Sequence, residues 1–513
     1  MIFNRQDNDS YHAGPFSLYK TLSSAKDSPD EYAEEFVSWV QPMEKLEEQV
    51  VELSVIDQAV VRCWSSYVLC FQMPAGYTNS QVFDHLQQGL RRTIDQFPFI
   101  AGNLVDKRDS KEGSLEVLLH PDSGVSFGYR DISKLPVANN LNFEKLRQRD
   151  FPPSMIESLE LRIAPDPKTV ESMVQQPVFL AQATFVRDGV LLFFAHSHQI
   201  ADVTGTNSIM RTWSQNMSAA AFNLAPTLSQ SLRDASLRSD RQRLSDGDNI
   251  DPKFQESSFP MLIERTPSVV SQQDAKIAKG EDQNPSTIWH MNAARLQELK
   301  DLARPLDKNS YISTLDAVNA LMWRAICRAR RLKERNISTS RLFFVCDVRS
   351  KLSPPIRPDS TCNATMKLHA AQACADIQGE DLAASLASAA GSIRQAICDF
   401  SQPLFETWIS YVKSAPSFWA LKAQESLREG PDVVVTDHSK VSAYQYEWGP
   451  LGCIERIRNP WWARSTPKPY SQVTLMPRLR DGSLEILTNF EEDINQQLRA
   501  DAELTWYALV RCR

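Results

Sequence analysis

Apolar positions along the chain fall into two rhythms, one of period two and one of period near 3.6, and each marks an element. Ser66-Tyr67-Val68-Leu69-Cys70-Phe71 reads as a strand. From Thr78-Asn79-Ser80 onward, Val82, Phe83, Leu86, Leu90 and Ile94 recur at helical spacing until Gln96-Phe97-Pro98 stops the pattern. Val178 to Phe185 and Val190 to Ala195 are two β-rich runs joined by Asp188-Gly189, a pair suited to a two-residue type I′ hairpin turn. His196 and His198 therefore emerge at the end of a strand, and a helix is expected from about Thr204. Farther along, Ser313-Thr314-Leu315-Asp316 opens a helix whose apolar face runs through Val318, Leu321, Met322 and Ile326 to Arg330. Glu485 to Phe490 reads as another strand, and Glu492 to Leu509 as a closing helix.

Between these two sets of elements the periodicity fails. Residues from Thr227 to Ser257 are rich in Ser, Arg and Asp and predict a surface crossover. A chain of 513 residues also exceeds the size at which one core stops growing. We therefore expect an N-terminal domain over 1–225, a crossover linker over 226–285 and a C-terminal domain over 286–513, the two domains meeting at a cleft. With 42% hydrophobic and 23% charged residues, the composition is that of an ordinary globular protein. A net charge of -7 supplies no basic field for phosphate backbones, so nucleic acid is not an expected partner.

The start, MIFNRQDNDSYHAG, lacks the basic head and apolar run of a signal peptide. No apolar stretch approaches the roughly 20 residues that span a bilayer. A soluble, cytoplasmic protein with no membrane partner is the expectation. The nine cysteines are scattered without a Cys-x-x-Cys pair and are expected to be buried free thiols. Neither metal-ligand spacing nor a phosphate-cradling glycine loop occurs, so no metal is predicted.

His198 is the first candidate for chemistry, because a neutral imidazole is matched to taking a proton from a hydroxyl or amine near neutral pH. Its place at a strand-to-helix turn would hold the ring rigidly. His196, two residues earlier on the same strand face, reads as a structural histidine or as a channel residue. Asp202 either orients His198 across an i, i+4 spacing or points away to pair with an arginine elsewhere. Taken alone, His-x-x-x-Asp is a weak signal in a chain with eight histidines.

Other blocks make it specific. Leu90-Arg91-Arg92-Thr93-Ile94 with Pro98-Phe99-Ile100-Ala101-Gly102, then His198 to Asp202 with Val203-Thr204-Gly205, stand in order along the first half. Ser313 to Ala317 with Leu321-Met322-Trp323-Arg324, Asp347-Val348-Arg349-Ser350-Lys351-Leu352 with Asn363, and Glu447-Trp448-Gly449-Pro450-Leu451-Gly452 follow in the second. In this order they resemble the plant and fungal BAHD acyltransferase family, and its fungal branch of trichothecene O-acetyltransferases in particular. The resemblance implies an α/β (α+β) architecture of two chloramphenicol-acetyltransferase-like domains. Each would be a mixed β-sheet with flanking helices, with an active-site channel between them.

It further implies a monomer that binds no cofactor, takes acyl-CoA (acetyl-CoA in this branch) as co-substrate and acylates a hydroxyl of a small hydrophobic secondary metabolite. His198 would be the general base. Asp202 would pair with Arg349, and Gly205 would support the motif.

The chain departs from the family where Thr436-Asp437-His438 replaces a segment that usually carries a tryptophan, the tryptophan position reading as Asp437. If that segment lines the channel, Asp437 and His438 put an additional acid/base pair near His198. Trp448 and the adjacent Trp461 and Trp462 are further candidates for the channel or acceptor site. Val203 in place of the usual glycine after Asp202 restricts the backbone there. Two alternatives therefore stand beside acyl transfer: CoA-independent cyclisation, condensation or isomerisation in the same channel, and a non-catalytic binding protein on the same scaffold.

Overall fold

The computed structural model describes residues 33–107, 110–157, 176–225, 235–247, 259, 261–263, 286–305, 311–427, 430–459 and 472–513. Two mixed sheets dominate. The first runs in the order Glu34–Val40, Val125–Asp131, Phe179–Val186, Gly189–Ser197, Trp64–Gln72 and Arg456–Arg458. Its single parallel pair is Val125–Asp131 with Phe179–Val186. The second runs Thr365–Ala373, Thr339–Asp347, Val433–Asp437, Gln472–Leu475, Leu484–Asn489, Ser286–Met291 and Leu509–Cys512. In it Val433–Asp437 is parallel to both neighbours. The architecture is α/β, with mixed sheets flanked by helices. Arg456–Arg458 comes from the second half of the chain yet pairs with Trp64–Gln72, placing Ile457 opposite Leu69.

Gly189–Ser197 is buried along its whole length because both of its faces are covered. Val190, Leu192 and Phe194 join the main core with Phe179, Trp213 and Met217. Leu191, Phe193 and Ala195 face a second cluster built on Phe143, Leu146 and Phe151. A strand covered on both faces reads as a continuous apolar run, as this one does. The hairpin turn before it lies one residue earlier than expected. Val186 pairs with Gly189, so the loop is Arg187-Asp188. Asp188 has φ 62° and Arg187 does not share the positive sign, whereas a type I′ turn needs it at both positions. Gly189 serves packing instead, since a Cβ there would lie 2.2 Å from Phe143 Cδ2.

The helix Asn79–Gln96 starts in a capping box between Thr78 and Gln81 and packs against Val203–Ala221 over the first sheet. Thr314–Ala329 is likewise opened by a Ser313/Asp316 capping box. The expected single closing helix is two, Glu492–Ala500 and Ala502–Tyr507, because Asp501 caps the second by accepting from Leu504 N at 2.9 Å. The edge strand Leu509–Cys512 follows.

Within the expected surface crossover, Ala235–Arg243 is a helix anchored by the buried Leu237 and by ion pairs. Asp240 meets Arg357 at 3.2 Å and Arg241 meets the buried Asp57 at 3.3 Å. Apolar periodicity cannot reveal such a contact. The nine cysteines carry free thiols, of which Cys398 is exposed and Cys453 half-buried. Among the described residues no helix is long and apolar enough to cross a membrane, and no group of three or more His, Cys, Asp or Glu is arranged to hold a metal ion.

Candidate active site

The strand Gly189–Ser197 ends against Trp64, and the chain turns through His198, Gln199 and Ile200 before the helix Val203–Ala221 begins. The turn is held by its backbone. His198 N donates to the Cys63 carbonyl at 2.9 Å, and the His198 carbonyl accepts from Asn363 Nδ2 at 2.8 Å. Gln199 is buried, and its amide donates to the carbonyls of Val60 and Val61 at 3.3 and 3.2 Å. His198 itself is half-buried. Its Nδ1 is enclosed and has no partner among the described residues.

Asp202 caps the helix. Its Oδ1 accepts from Gly205 N at 2.9 Å and from Arg349 Nη2 at 2.9 Å. Its Oδ2 accepts from Arg349 Nη1 at 2.8 Å and from Ala364 N at 3.0 Å. Both side chains are buried, and the guanidinium also donates to the carbonyls of Ser360 and Cys362 at 3.1 and 2.8 Å. Burial opposes the Arg349 charge, but the Asp202 carboxylate more than offsets it and holds the group above the usual arginine range. The carboxylate thus points into the second half of the chain, where Arg349 and Ala364 hold it. Gly205 lets the first helical turn approach Thr361, because a Cβ there would lie 2.9 Å from Ala201 Cβ and 3.1 Å from Thr361 Cα.

Three residues lie behind and beside His198. His196 is fully buried, and burial pushes its imidazole down to about 4. His196 Nδ1 lies 2.9 Å from the Ser197 carbonyl and Nε2 lies 2.7 Å from the Thr206 hydroxyl, which itself donates to the Asp202 carbonyl at 2.8 Å. The Tyr67 hydroxyl bonds that of Thr206 in turn, and burial raises the Tyr67 phenol above its ordinary range. His438 approaches from the end of Val433–Asp437, with its ring centroid 6.0 Å from that of Tyr67. Its backbone N donates to the Leu475 carbonyl at 2.8 Å. Burial, reinforced by the neighbouring His198, pushes its imidazole down to about 4.

The family model described as the Transferase family matches residues 37–494. The chain belongs to that family. It is a BAHD acyltransferase of the fungal branch, an acyl-CoA-dependent O-acyltransferase with acyl-CoA as co-substrate. The acyltransferase easC of Emericella nidulans is 27% identical over 478 residues, covering 90% of this chain and 95% of the relative. The eremophilane O-acetyltransferase ORF8 of Penicillium roqueforti is 23% identical, covering 90% and 98%. Among solved structures, TRI101 of F. graminearum in complex with coenzyme A and deoxynivalenol superposes with a TM-score of 0.74 at 19% identity, covering 90% of this chain and 100% of that one.

In this BAHD chain several sequence-level candidates take other places. Trp448 is fully buried against Phe71 and Trp213, so it is a core residue and not a channel wall. His196 is likewise enclosed behind the strand. Asp437 does not pair with His438, because its Oδ1 accepts from Ser439 N at 2.8 Å in a local turn. Thr436 accepts from Gln472 Nε2 at 2.9 Å. Trp461 and Trp462 lie outside the described residues.

Asp57 was not legible as a site residue. Its Oδ1 accepts from both Asn363 N and Asn363 Nδ2 at 2.8 Å, so this fully buried carboxylate positions the amide that grips the His198 carbonyl. The Ser54-Val55-Ile56-Asp57 capping pattern was the available signal, and it marks only a helix start.

Proposed function

We propose that His198 is the general base of acyl transfer from acyl-CoA, acetyl-CoA in this branch, to a hydroxyl of a hydrophobic secondary metabolite. The observation that carries this reading is the asymmetry of the ring: Nδ1 is closed in, while the residue is half-exposed and its backbone pinned at both N and O. That leaves Nε2 to meet a ligand. It takes the proton of the acceptor hydroxyl as the oxygen attacks the thioester carbonyl, and the C–O bond forms. When the C–S bond breaks, the proton passes to the departing CoA sulfur. Asp202 takes no proton in this scheme, since its lone pairs are committed to Arg349, Gly205 and Ala364.

The eremophilane acetyltransferase among the relatives supports acetyl as the group and a hydrophobic alcohol as the acceptor. Incubation with acetyl-CoA and a panel of terpenoid and polyketide alcohols, followed by free-thiol release and mass analysis of the ester, tests the reading. Loss of transfer in His198→Ala with a folded protein is expected. Transfer retained in that variant refutes the base assignment. CoA-independent chemistry rested on an Asp437–His438 pair, and the Ser439 contact of Asp437 removes that motive.

A further inference from the structure

Arg241 is a buried arginine whose Nε, Nη1 and Nη2 make no hydrogen bond among the described residues. What it meets is one charge and one ring. Its Nε lies 3.3 Å from Asp57 Oδ2, and its guanidinium carbon lies 5.5 Å from the centre of the Phe99 ring. A buried charge is costly unless an opposite charge faces it, so the contact with Asp57 is what lets the fold keep a guanidinium here. The need is mutual, because Asp57 is itself fully buried and Arg241 is the cation paired with it. The Asp57 carboxylate is shared between its two oxygens. Oδ2 faces Arg241 and accepts from Ser54 N at 2.9 Å, whereas Oδ1 accepts from Asn363 N and Nδ2, both at 2.8 Å. The same Nδ2 donates to the His198 carbonyl at 2.8 Å. That NH2 group has two hydrogens and both are spent, so the position of Asp57 fixes where the amide delivers the second one. An unbroken chain of contacts therefore runs from the crossover helix Ala235–Arg243 to the turn that carries His198. The helix also holds the segment leading to Asn363, since Asp240 meets Arg357 at 3.2 Å and Arg243 donates to the carbonyls of Pro354 and Pro355.

We propose that Arg241 is a positioning residue for acyl transfer: it balances and orients the Asp57 carboxylate, and through Asn363 it sets the backbone from which the His198 ring projects. The inference rests on the reading of His198 as the base, and it gives the crossover between the halves a hold on the site. No proton moves along the chain of contacts, which transmits position alone. Arg241→Met keeps a long apolar stem and removes the charge. Asp57 then stands buried without its countercharge, and the amide it holds and the turn that amide grips relax together.

Two readouts on the full-length protein test this. In the first, histidine carrying 13C at Cε1 is incorporated, and the His198 signal is assigned by its absence from His198→Ala. That signal should shift in Arg241→Met in the direction it takes in Asn363→Ala and return toward wild type in Arg241→Lys. It should stay in place in Arg243→Met, which loses helix contacts away from Asp57. In the second, with acetyl-CoA and an accepted alcohol, kcat should fall by up to about 10²-fold in Arg241→Met while KM for acetyl-CoA stays level. That fall should not multiply with the fall in Asn363→Ala, because both variants break one chain. Should Arg241→Met not fold, Arg241→Gln takes its place in both measurements. A His198 signal unmoved in the folded variant overturns the proposal, as does one moved equally by Arg243→Met, or kcat losses that multiply in the double variant. Transfer surviving in His198→Ala refutes the base instead, while the His198 signal still reports on Arg241.

Discussion

Asp202→Asn changes one oxygen to an amide and tests whether Asp202 is an anchor or a catalytic partner of His198. The variant keeps the helix cap, because asparagine caps as well as aspartate and Oδ1 still accepts from Gly205 N. What it loses is the charge opposite Arg349, together with the Oδ2 acceptor of Arg349 Nη1 and Ala364 N. The new NH2 would face two donors. Both side chains of the pair are buried, so water cannot replace the lost partner. Asp347 approaches Arg349 at 3.3 Å, but it is 42% exposed and compensates weakly. Breaking a buried pair by neutralising one member costs about 3–5 kcal/mol, and that is the expected loss.

The assay is urea unfolding followed by tryptophan fluorescence, with Arg349→Met and the Asp202→Asn/Arg349→Met double variant completing a cycle. The double variant should recover much of the loss, because it removes the stranded charge. Transfer activity of Asp202→Asn should fall in step with the disordering of the turn. A loss below about 1 kcal/mol, or full stability with abolished transfer, would refute the anchor role.

Asn363→Ala should release the His198 carbonyl and leave Asp57 short of the side-chain donor while the backbone N stays, costing about 1–3 kcal/mol and lowering kcat more than KM for acyl-CoA. Unchanged kinetics would count against it. Gly205→Ala should destabilise by about 1–3 kcal/mol, since the added methyl meets Ala201 and the Thr361 backbone, and a melting temperature equal to wild type would refute the packing argument. His196 and His438 are held down to about 4 from an ordinary 6.5. Below about pH 6.5 the unfolded chain takes up protons that the folded one refuses until near 4, so stability should fall as pH drops through that window. Urea midpoints at several pH values should show a shallower slope in His196→Phe/His438→Phe, and an equal slope would contradict the assignment.

How far the chain could be read before folding depends on which forces set each element. The strand Trp64–Gln72 and the helices Asn79–Gln96 and Thr314–Ala329 are set by local patterning and caps, and they lie where the sequence puts them. The Arg187-Asp188 turn and the break at Asp501 were misread because sterics decide one and a side-chain cap the other. Ala235–Arg243 gives little apolar pattern because it buries a single leucine, Leu237, beside the ionic contacts of Asp240 and Arg241. At the site, His198 and the Asp202–Arg349 pair were named from the resemblance. Asp57 and the enclosed state of His196 depend on contacts between residues far apart in sequence. The same holds for Trp448, which an aromatic in a loop suggested for the channel and whose burial against Trp213 and Phe71 excludes it.

These long-range contacts share a direction. Arg349 and Asn363, both in the second half, hold Asp202 and the His198 carbonyl in the first. Arg456–Arg458 adds a strand from the second half to the first sheet, and within it Arg458 is fully buried on Glu485, 2.8 Å away, while donating to the Phe151 carbonyl at 2.8 Å. The Arg458–Glu485 pair lies within the second half, but the other ties cross between the halves and would leave a charge or a backbone polar group unpaired if the halves parted. Parting them would break the buried Asp202–Arg349 pair, at a cost of roughly 3–5 kcal/mol. These ties hold the backbone that carries the His198 imidazole, which is the condition for a base to act without reorganisation.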